Sequence, residues 1–345
     1  MRIAVDAMGG DYGPGILIEG ALAGARDAGC HIVLVGDKDS LAAELSGKDI
    51  SGLTVEIQHA SENIEMTDLP AVALRRKKDS SLRVCFELIK RGEAQAMVSA
   101  GNSGAIMAVG VMVLKRMKGL ERPALALVLP TVSTKRTVFL DVGANVDCKP
   151  VQLAQFALMG SAYAKIMLGE NEPKVALLSN GQEETKGNEI TRLAHNLLKR
   201  AAINYQGYVE GRDLYSGVVD VIVCDGFVGN VALKVSEGMV DVMRTIMQGA
   251  LKQSFLARLG YLLMGKPLGE FRTKFDYDEY GGAPLLGING AAVISHGGAS
   301  PRAIKNAIKL AHRFAGEKVN EHLAQALAEN SELLSFNVPR QAGAS

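Results

Sequence analysis

Residues 98–111 read VSAGNSGAIMAVGV. Val98 to Ala100 close an apolar run that begins at Ala94. A Gly/Asn/Ser turn follows, and behind it a helix of small residues begins. The unit is therefore strand, tight turn, helix. Such a turn points backbone N–H groups at whatever sits before it, and the helix N-terminus adds partial positive charge, so the unit can cradle an anion. No lysine follows the glycines, as a nucleotide-binding P-loop requires.

The same unit recurs along the chain. RIAVDAM, HIVLVGD, TVEIQHA, AQAMVSA, ALALVLPT, RTVFLDVGAN, KVALLSNG and VDVIVCDG read as strands. Helices are expected from Ile16 to Gly29, at SLAAELSG, around Leu69–Lys78, over Ser81–Arg91, from Pro150 to Leu168, over NEITRLAHNLLKRA, and from Pro301 onward. Short β-branched runs with both faces apolar indicate buried parallel strands. Their alternation with helices predicts a doubly wound α/β fold with a mostly parallel sheet. Residues 1–335 read as one catalytic unit, open to a two-lobed arrangement around a cleft, with 336–345 as a flexible tail. Six strand ends carry similar punctuation: DAMGGD, VSAGNSG, DVGAN, LSNGQEE, VCDGFVGN and ISHGGAS. In an open parallel sheet the carboxyl ends share one edge, so these clusters are expected along a single ligand-binding rim.

Bulk properties exclude several classes. Of 345 residues, 48% are hydrophobic and 22% charged, which suits a globular chain with a real core. The net charge of +1 argues against nucleic acid as a partner. Cys30, Cys85, Cys148 and Cys224 are scattered, without a C-x-x-C pair, which points to a reducing cytoplasm and to neither zinc nor disulfides. MGGDYGPG departs from G-x-G-x-x-G, and no G-x-S-x-G elbow occurs.

In SAGNSGA, Ser99, Asn102 and Ser103 offer side-chain donors, while Gly101 and Gly104 free the backbone to turn. An ordinary N-cap at Asn102 or Ser103 accounts for the pattern equally well. Lys186, in NGQEETKGNE, follows a strand end, where a cation can neutralise phosphate or a developing oxyanion; a charged loop is the plain alternative. Asn230, in VCDGFVGN, can cap a helix or donate to an oxyanion, and Asp225 stands nearby. His296, between a strand end and Gly297, suits acid/base work or phosphate binding. The run Arg75–Lys78 reads as a solvated basic face or a contact for an acidic partner.

Residues 238–270 form an amphipathic helical insertion on this reading. From Val242 to Gly269 there is no Asp or Glu, while Arg244, Lys252, Arg258 and Lys266 are present. Leu259, Leu262 and Leu263 belong to an apolar stripe at near-helical spacing. A helix pair in a core or dimer interface fits, as does a surface that meets anionic lipid or an acidic carrier.

Together DAMGGDYGP, SAGNSGA, ERPALA, DVGANVDC, EETKGNE, VCDGFVGN and LLGINGAAVISHG resemble the PlsX family, the acyl-ACP:phosphate acyltransferases of bacterial phospholipid synthesis. The likeness runs from the first strand to about the C-terminal helix. It departs at Ser179–Gln182, where the family carries Asn-Ile-Gly-Glu. The resemblance implies a fold related to phosphotransacetylases and the isocitrate/isopropylmalate dehydrogenase group. It also implies a cytoplasmic homodimer at the inner face of the cell membrane. The implied reaction is acyl-ACP plus inorganic phosphate giving acyl phosphate plus ACP, with no nucleotide, cofactor or essential metal. The product would pass to a membrane glycerol-3-phosphate acyltransferase. Lys186 and Asn230 become the expected catalytic positions, with Asp225 and His296 supporting, and the SAGNSGA donors the phosphate ligands. Two alternatives stay open: a phosphotransacetylase-like enzyme using acyl-CoA, and a non-catalytic lipid- or anion-binding scaffold.

Overall fold

The structure is a computed structural model that describes residues 1–331 except 134, 254–260, 262–263, 266–268 and 270–276. Its strands are β1 (Arg2–Asp6), β2 (His31–Gly36), β3 (Val55–His59), β4 (Ala96–Ser99), β5 (Ala124–Pro130), β6 (Arg136–Leu140), β7 (Lys174–Leu178), β8 (Asn204–Val209), β9 (Val221–Val223), β10 (Ala283–Leu286) and β11 (Ala291–Ile294). The helices used below are α1 (Pro14–Ala28), α2 (Lys38–Leu45), α3 (Pro70–Arg76), α4 (Ser81–Lys90), α5 (Ser103–Leu114), α6 (Pro150–Tyr163), α7 (Glu189–Leu198), α8 (Gly226–Gln253), α9 (Pro301–Gly316) and α10 (Val319–Glu329). The expected alternation is present among the described residues; of the helical insertion expected over 238–270, the part up to Gln253 belongs to α8, which already begins at Gly226, and most of the rest lies outside the described residues.

Strand residues alternate between two cores. Ile3 and Val5 of β1, Ile32 and Leu34 of β2, and Ala96 and Val98 of β4 enter one. Ala4, Val33, Val35 and Met97 enter the other. A period of two with apolar residues on both sides requires helices on both faces. On the first face α1 and α9 approach closely because Gly20 and Gly24 leave room. A Cβ on Gly20 would lie 2.5 Å from Ile304 Cβ, and one on Gly24 2.7 Å from Ile308 Cβ. Helix α6 is buried along nearly its whole length, as an apolar helix without a polar face must be.

The sheet runs β3-β2-β1-β4-β11-β10-β5-β6-β9-β7-β8. Most pairs are parallel, but β10 is antiparallel to both β11 and β5, and β5 is antiparallel to β6. The strands from β6 to β8 therefore run opposite to β1, β4 and β11. This corrects the expectation of one shared rim: DAMGGD, VSAGNSG and ISHGGAS end facing one way, DVGAN, LSNGQEE and VCDGFVGN the other. Neither β10 nor β8 was foreseen. β10 hides in a glycine-rich stretch, and β8 (NYQGYV) mixes polar residues with Gly207 at positive φ on a sheet edge.

Register explains how opposed ends still meet. Ile294 faces Ala283, Leu285 faces Leu125, and Leu140 faces Ala126. Following β10 back from Leu285 to Ala283 brings the carboxyl end of β11 level with Leu127. That is one residue from Ala126, the partner of the carboxyl end of β6. The two halves of the sheet are staggered, so their carboxyl ends converge on the central strands from opposite directions.

Candidate active site

In the first half, three turns follow β1, β4 and β11. Gly9, Gly10, Gly101 and Gly297 let their backbones touch: a Cβ on Gly9 would lie 3.0 Å from the Gly101 nitrogen, and one on Gly10 3.3 Å from the Gly297 carbonyl. The Asp11 N–H donates to that same carbonyl (2.9 Å). Beneath the turns lies the buried carboxylate of Asp6. Ser81 Oγ donates to one oxygen (2.6 Å) and Ser99 Oγ to the other (2.7 Å), while the Gly101 N–H donates to Ser99 Oγ (3.1 Å). One carboxylate thus ties β1, β4 and α4 together. Burial pushes its pKa up, against the pull of the two serine hydroxyls.

The second half repeats the device at the end of β6. Asp141 is fully buried and accepts N–H bonds from Leu125 (3.0 Å), Ala144 (3.0 Å) and Asn145 (2.7 Å), and a side-chain bond from Asn145 Nδ2 (2.8 Å). Burial again raises its pKa. Helix α8 starts hard against this knot. A Cβ on Gly229 would stand 1.9 Å from the Asp141 carbonyl oxygen, so only glycine permits the approach. Asp225 caps the helix, accepting from the Val228 N–H (2.9 Å). The next residue after Gly229 is Asn230, whose side chain is exposed.

A cavity of about 540 Å³ lies between the two halves. Gly101, Ser103, His296 and Asp11 come from the first half, Val142 and Asn230 from the second. The inner face of α8 adds Leu233, Lys234, Glu237, Val240, Asp241 and Arg244. Polarity is divided. Leu125, Leu127, Val142 and Ile294 are buried, whereas Ser103, Asn230, Lys234 and His296 are exposed. His296 Nδ1 accepts the Gly298 N–H (3.0 Å), which leaves Nε2 to carry the proton of the neutral ring. Lys234 is engaged with Glu237 (2.7 Å).

The comparisons with known proteins converge. Residues 1–322 match the family described as fatty acid synthesis protein. A phosphate acyltransferase of Geobacter sp. (strain M21) is 56% identical over 330 residues, covering 96% of this chain and 94% of that one. The phosphate acyltransferase of Syntrophotalea carbinolica is 54% identical over 341 residues, covering 99% and 98%. The chain belongs to the PlsX family of phosphate acyltransferases. Among solved structures, a phosphotransacetylase from Streptococcus pyogenes matches with TM-score 0.60 at 20% identity, covering 95% of this chain and 94% of that one. The EutD phosphotransacetylase from Staphylococcus aureus gives 0.57 at 16%, covering 91% and 94%. These two likenesses establish the fold.

Within this acyltransferase family member, the structure separates the residues singled out from sequence. Asn230, His296, Gly101, Ser103 and Arg244 line the cavity. Ser99 is 1% exposed and its hydroxyl is committed to Asp6. Asn102 caps α5, accepting the Ala105 N–H (3.0 Å), and donates to the Met66 carbonyl (2.8 Å). Gly104 packs against Pro70. None of these three is among the cavity-lining residues, and neither is Asp225. Lys186 is half-buried in the loop after β7, on the same edge as Asp225 but two strands beyond β6, about 10 Å at ~4.8 Å per strand. The Lys252 side chain and Arg258, Leu259, Leu262 and Leu263 lie outside the described residues, as does the tail at 336–345. Sequence reasoning missed Asp6 and Asp141, which end ordinary-looking strands, and Leu125, Leu127 and Lys234, which carry no motif. Cys224 is buried as expected, and burial pushes its thiol pKa well up, so it offers no thiolate near neutrality.

Proposed function

We propose that this phosphate acyltransferase takes its acyl group from acyl-ACP and delivers it to inorganic phosphate, for use by a membrane glycerol-3-phosphate acyltransferase. A phosphate oxygen attacks the thioester carbon, a tetrahedral oxyanion forms, and the C–S bond breaks. The carrier leaves as a thiolate, which needs little acid assistance because a thiol pKa is about 8.5. Phosphate sits before the N-terminus of α5, where the Gly101–Ser103 backbone offers N–H groups. Asn230 donates to the oxyanion from the opposite wall. His296 Nε2–H donates to the oxyanion or to the departing sulfur. Lys186 supplies positive charge from the neighbouring loop.

What carries this reading is one observation: donors from both halves of the sheet face a single cavity whose base is apolar. A second feature supports the proposed assembly. The outward face of α8 presents Val228, Val231, Val235, Met239, Val242 and Ile246, between 40% and 68% exposed, at intervals of three and four residues. Such a stripe suits pairing of two copies, with the cationic sequence from Arg244 onward meeting an anionic lipid surface at the cytoplasmic face. Among the described residues no helix is long and apolar enough to cross a membrane.

The test is direct. Purified protein is incubated with phosphate and either acyl-ACP or acyl-CoA, and acyl phosphate is trapped with hydroxylamine. Strong preference for acyl-ACP is expected. Preference for acyl-CoA would reassign the donor, and no product from either would leave a binding scaffold.

A further inference from the structure

We propose that the donor's acyl chain lies along the inner face of α8, from Asn230 past Leu233 to Val240, over a floor of Leu125, Leu127 and Ile294, and that Val240 sets chain-length preference. This rests on the phosphate acyltransferase reading above and names the part of the substrate that selects among donors.

The cavity holds about 540 Å³, far more than phosphate and a thioester head require, and within the range of pockets that enclose organic ligands. Over Leu125, Leu127 and Ile294, each at most 9% exposed, its floor is aliphatic, and the buried polar residue Ser295 follows Ile294 in the lining. A polar group lodged there would lose its hydrogen bonds to water without replacement. A methylene chain loses none and removes that floor from water. The donors that can hold a carbonyl, Asn230 and His296, stand at the exposed rim, which fixes the reactive end there and leaves the chain to follow α8 over the apolar floor.

Helix geometry supplies the ruler. Leu233 lies about 4.5 Å and Val240 about 15 Å along the α8 axis from Asn230, at ~1.5 Å per residue. Both are half-buried and line the cavity. A butyryl chain held at Asn230 extends about 4 Å, so it comes into contact with Leu233 and ends well short of Val240. A palmitoyl chain reaches Val240. Change at Leu233 therefore touches every donor, and change at Val240 only long ones.

The experiment is a competition between butyryl and palmitoyl carrier thioesters with saturating phosphate, reading the ratio of the two acyl phosphates. Val240→Trp should lower the palmitoyl-to-butyryl ratio by about tenfold or more, the scale on which a filled apolar pocket discriminates methylenes. Val240→Ala should not lower it, and Leu233→Trp should depress both products. Val240→Phe carries the same expectation if the Trp variant fails to fold. Wild-type protein that makes acyl phosphate, with a ratio unmoved by Val240→Trp or Val240→Phe, would overturn the placement of the chain and leave the activity standing. Wild-type protein that makes neither product would remove both.

Discussion

Gly229→Ala is the sharpest test of how Asn230 is positioned. The added Cβ would stand 1.9 Å from the Asp141 carbonyl oxygen, 2.9 Å from its carbonyl carbon and 3.1 Å from Cys224 Sγ. Carbon and oxygen without a bond between them do not approach within about 3 Å, so α8 has to retreat by roughly 1 Å. The two closest opposing atoms cannot give way, because they belong to the backbone of a buried knot. Asn230 is the next residue and moves with the helix. If Asn230 is the proposed oxyanion donor, a displacement of that size costs about 100-fold in rate, and the overpacking itself costs about 1–3 kcal/mol of stability. The assay is kcat for acyl phosphate formation, with a thermal melt beside it. Gly238→Ala is the control within the same helix: a Cβ there meets nothing within 4 Å, and alanine should gain about 0.5–1 kcal/mol over glycine in a helix interior. If Gly229→Ala kept kcat within threefold of wild type, Asn230 would not depend on the seating of α8, and the argument from close packing to catalysis would fail.

Three further outcomes are expected. Asn230→Ala should reduce kcat by about 10²–10³, the usual loss for one oxyanion donor, while Lys186→Ala should also cut turnover but leave the thermal melt in place; near-normal turnover in the second variant would detach Lys186 from the site. His195 should make stability depend on pH. It is 6% exposed, stacks on Tyr208 at 4.6 Å, shares a 2.7 Å hydrogen bond with Tyr205 and has Nε2 4.0 Å from Glu184. Burial, with Lys199 adding, lowers its pKa in the folded chain, and Glu184 opposes this only in part. The unfolded chain therefore binds the proton more readily, so this contribution is full above about pH 6.5 and is lost as pH falls below it. Urea midpoints between pH 7 and pH 5 should fall less steeply in His195→Gln than in wild type; equal slopes would show that burial of this ring has no titration consequence.

The sequence made the α/β alternation legible because each element satisfies its local rule. β1 is apolar on both faces, α1 opens on Pro14, and Gly29 ends it in the left-handed conformation. Direction was not legible. Nothing in ALALVLP or APLL says that the first pairs antiparallel with both of its neighbours, because antiparallel and parallel central strands bury the same residues. The site followed the same division. Asn230 and His296 stand out in the sequence because each follows a strand within a glycine-rich turn, and both line the cavity. Asn102 and Ser99 shared that signal, yet one caps its helix and the other serves a buried carboxylate. Their roles are decided by Met66 and Asp6, which lie 36 and 93 positions away in the chain. Leu125 and Leu127 look like any core leucines, and only the cavity they share with α8 sets them apart.

The two buried carboxylates explain why so exposed a site can hold fixed geometry. Each stands at the carboxyl end of a strand whose following turn reaches the cavity, Asp6 in one half and Asp141 in the other. Burying a carboxylate is unfavourable by itself, and the raised pKa of both groups records that cost. Each offsets it by gathering donors from several segments: Ser81 and Ser99 around Asp6, and Leu125, Ala144 and Asn145 around Asp141. An apolar residue in either position would spare the desolvation but leave those donors unpaired and the turns free. Leu125 links the halves most closely, since its N–H donates to Asp141 while its side chain floors the cavity. The stagger of the sheet brings the two turns face to face, and the paired carboxylates hold them there, so that Asn230 and His296 keep their separation without any contact between their side chains being required.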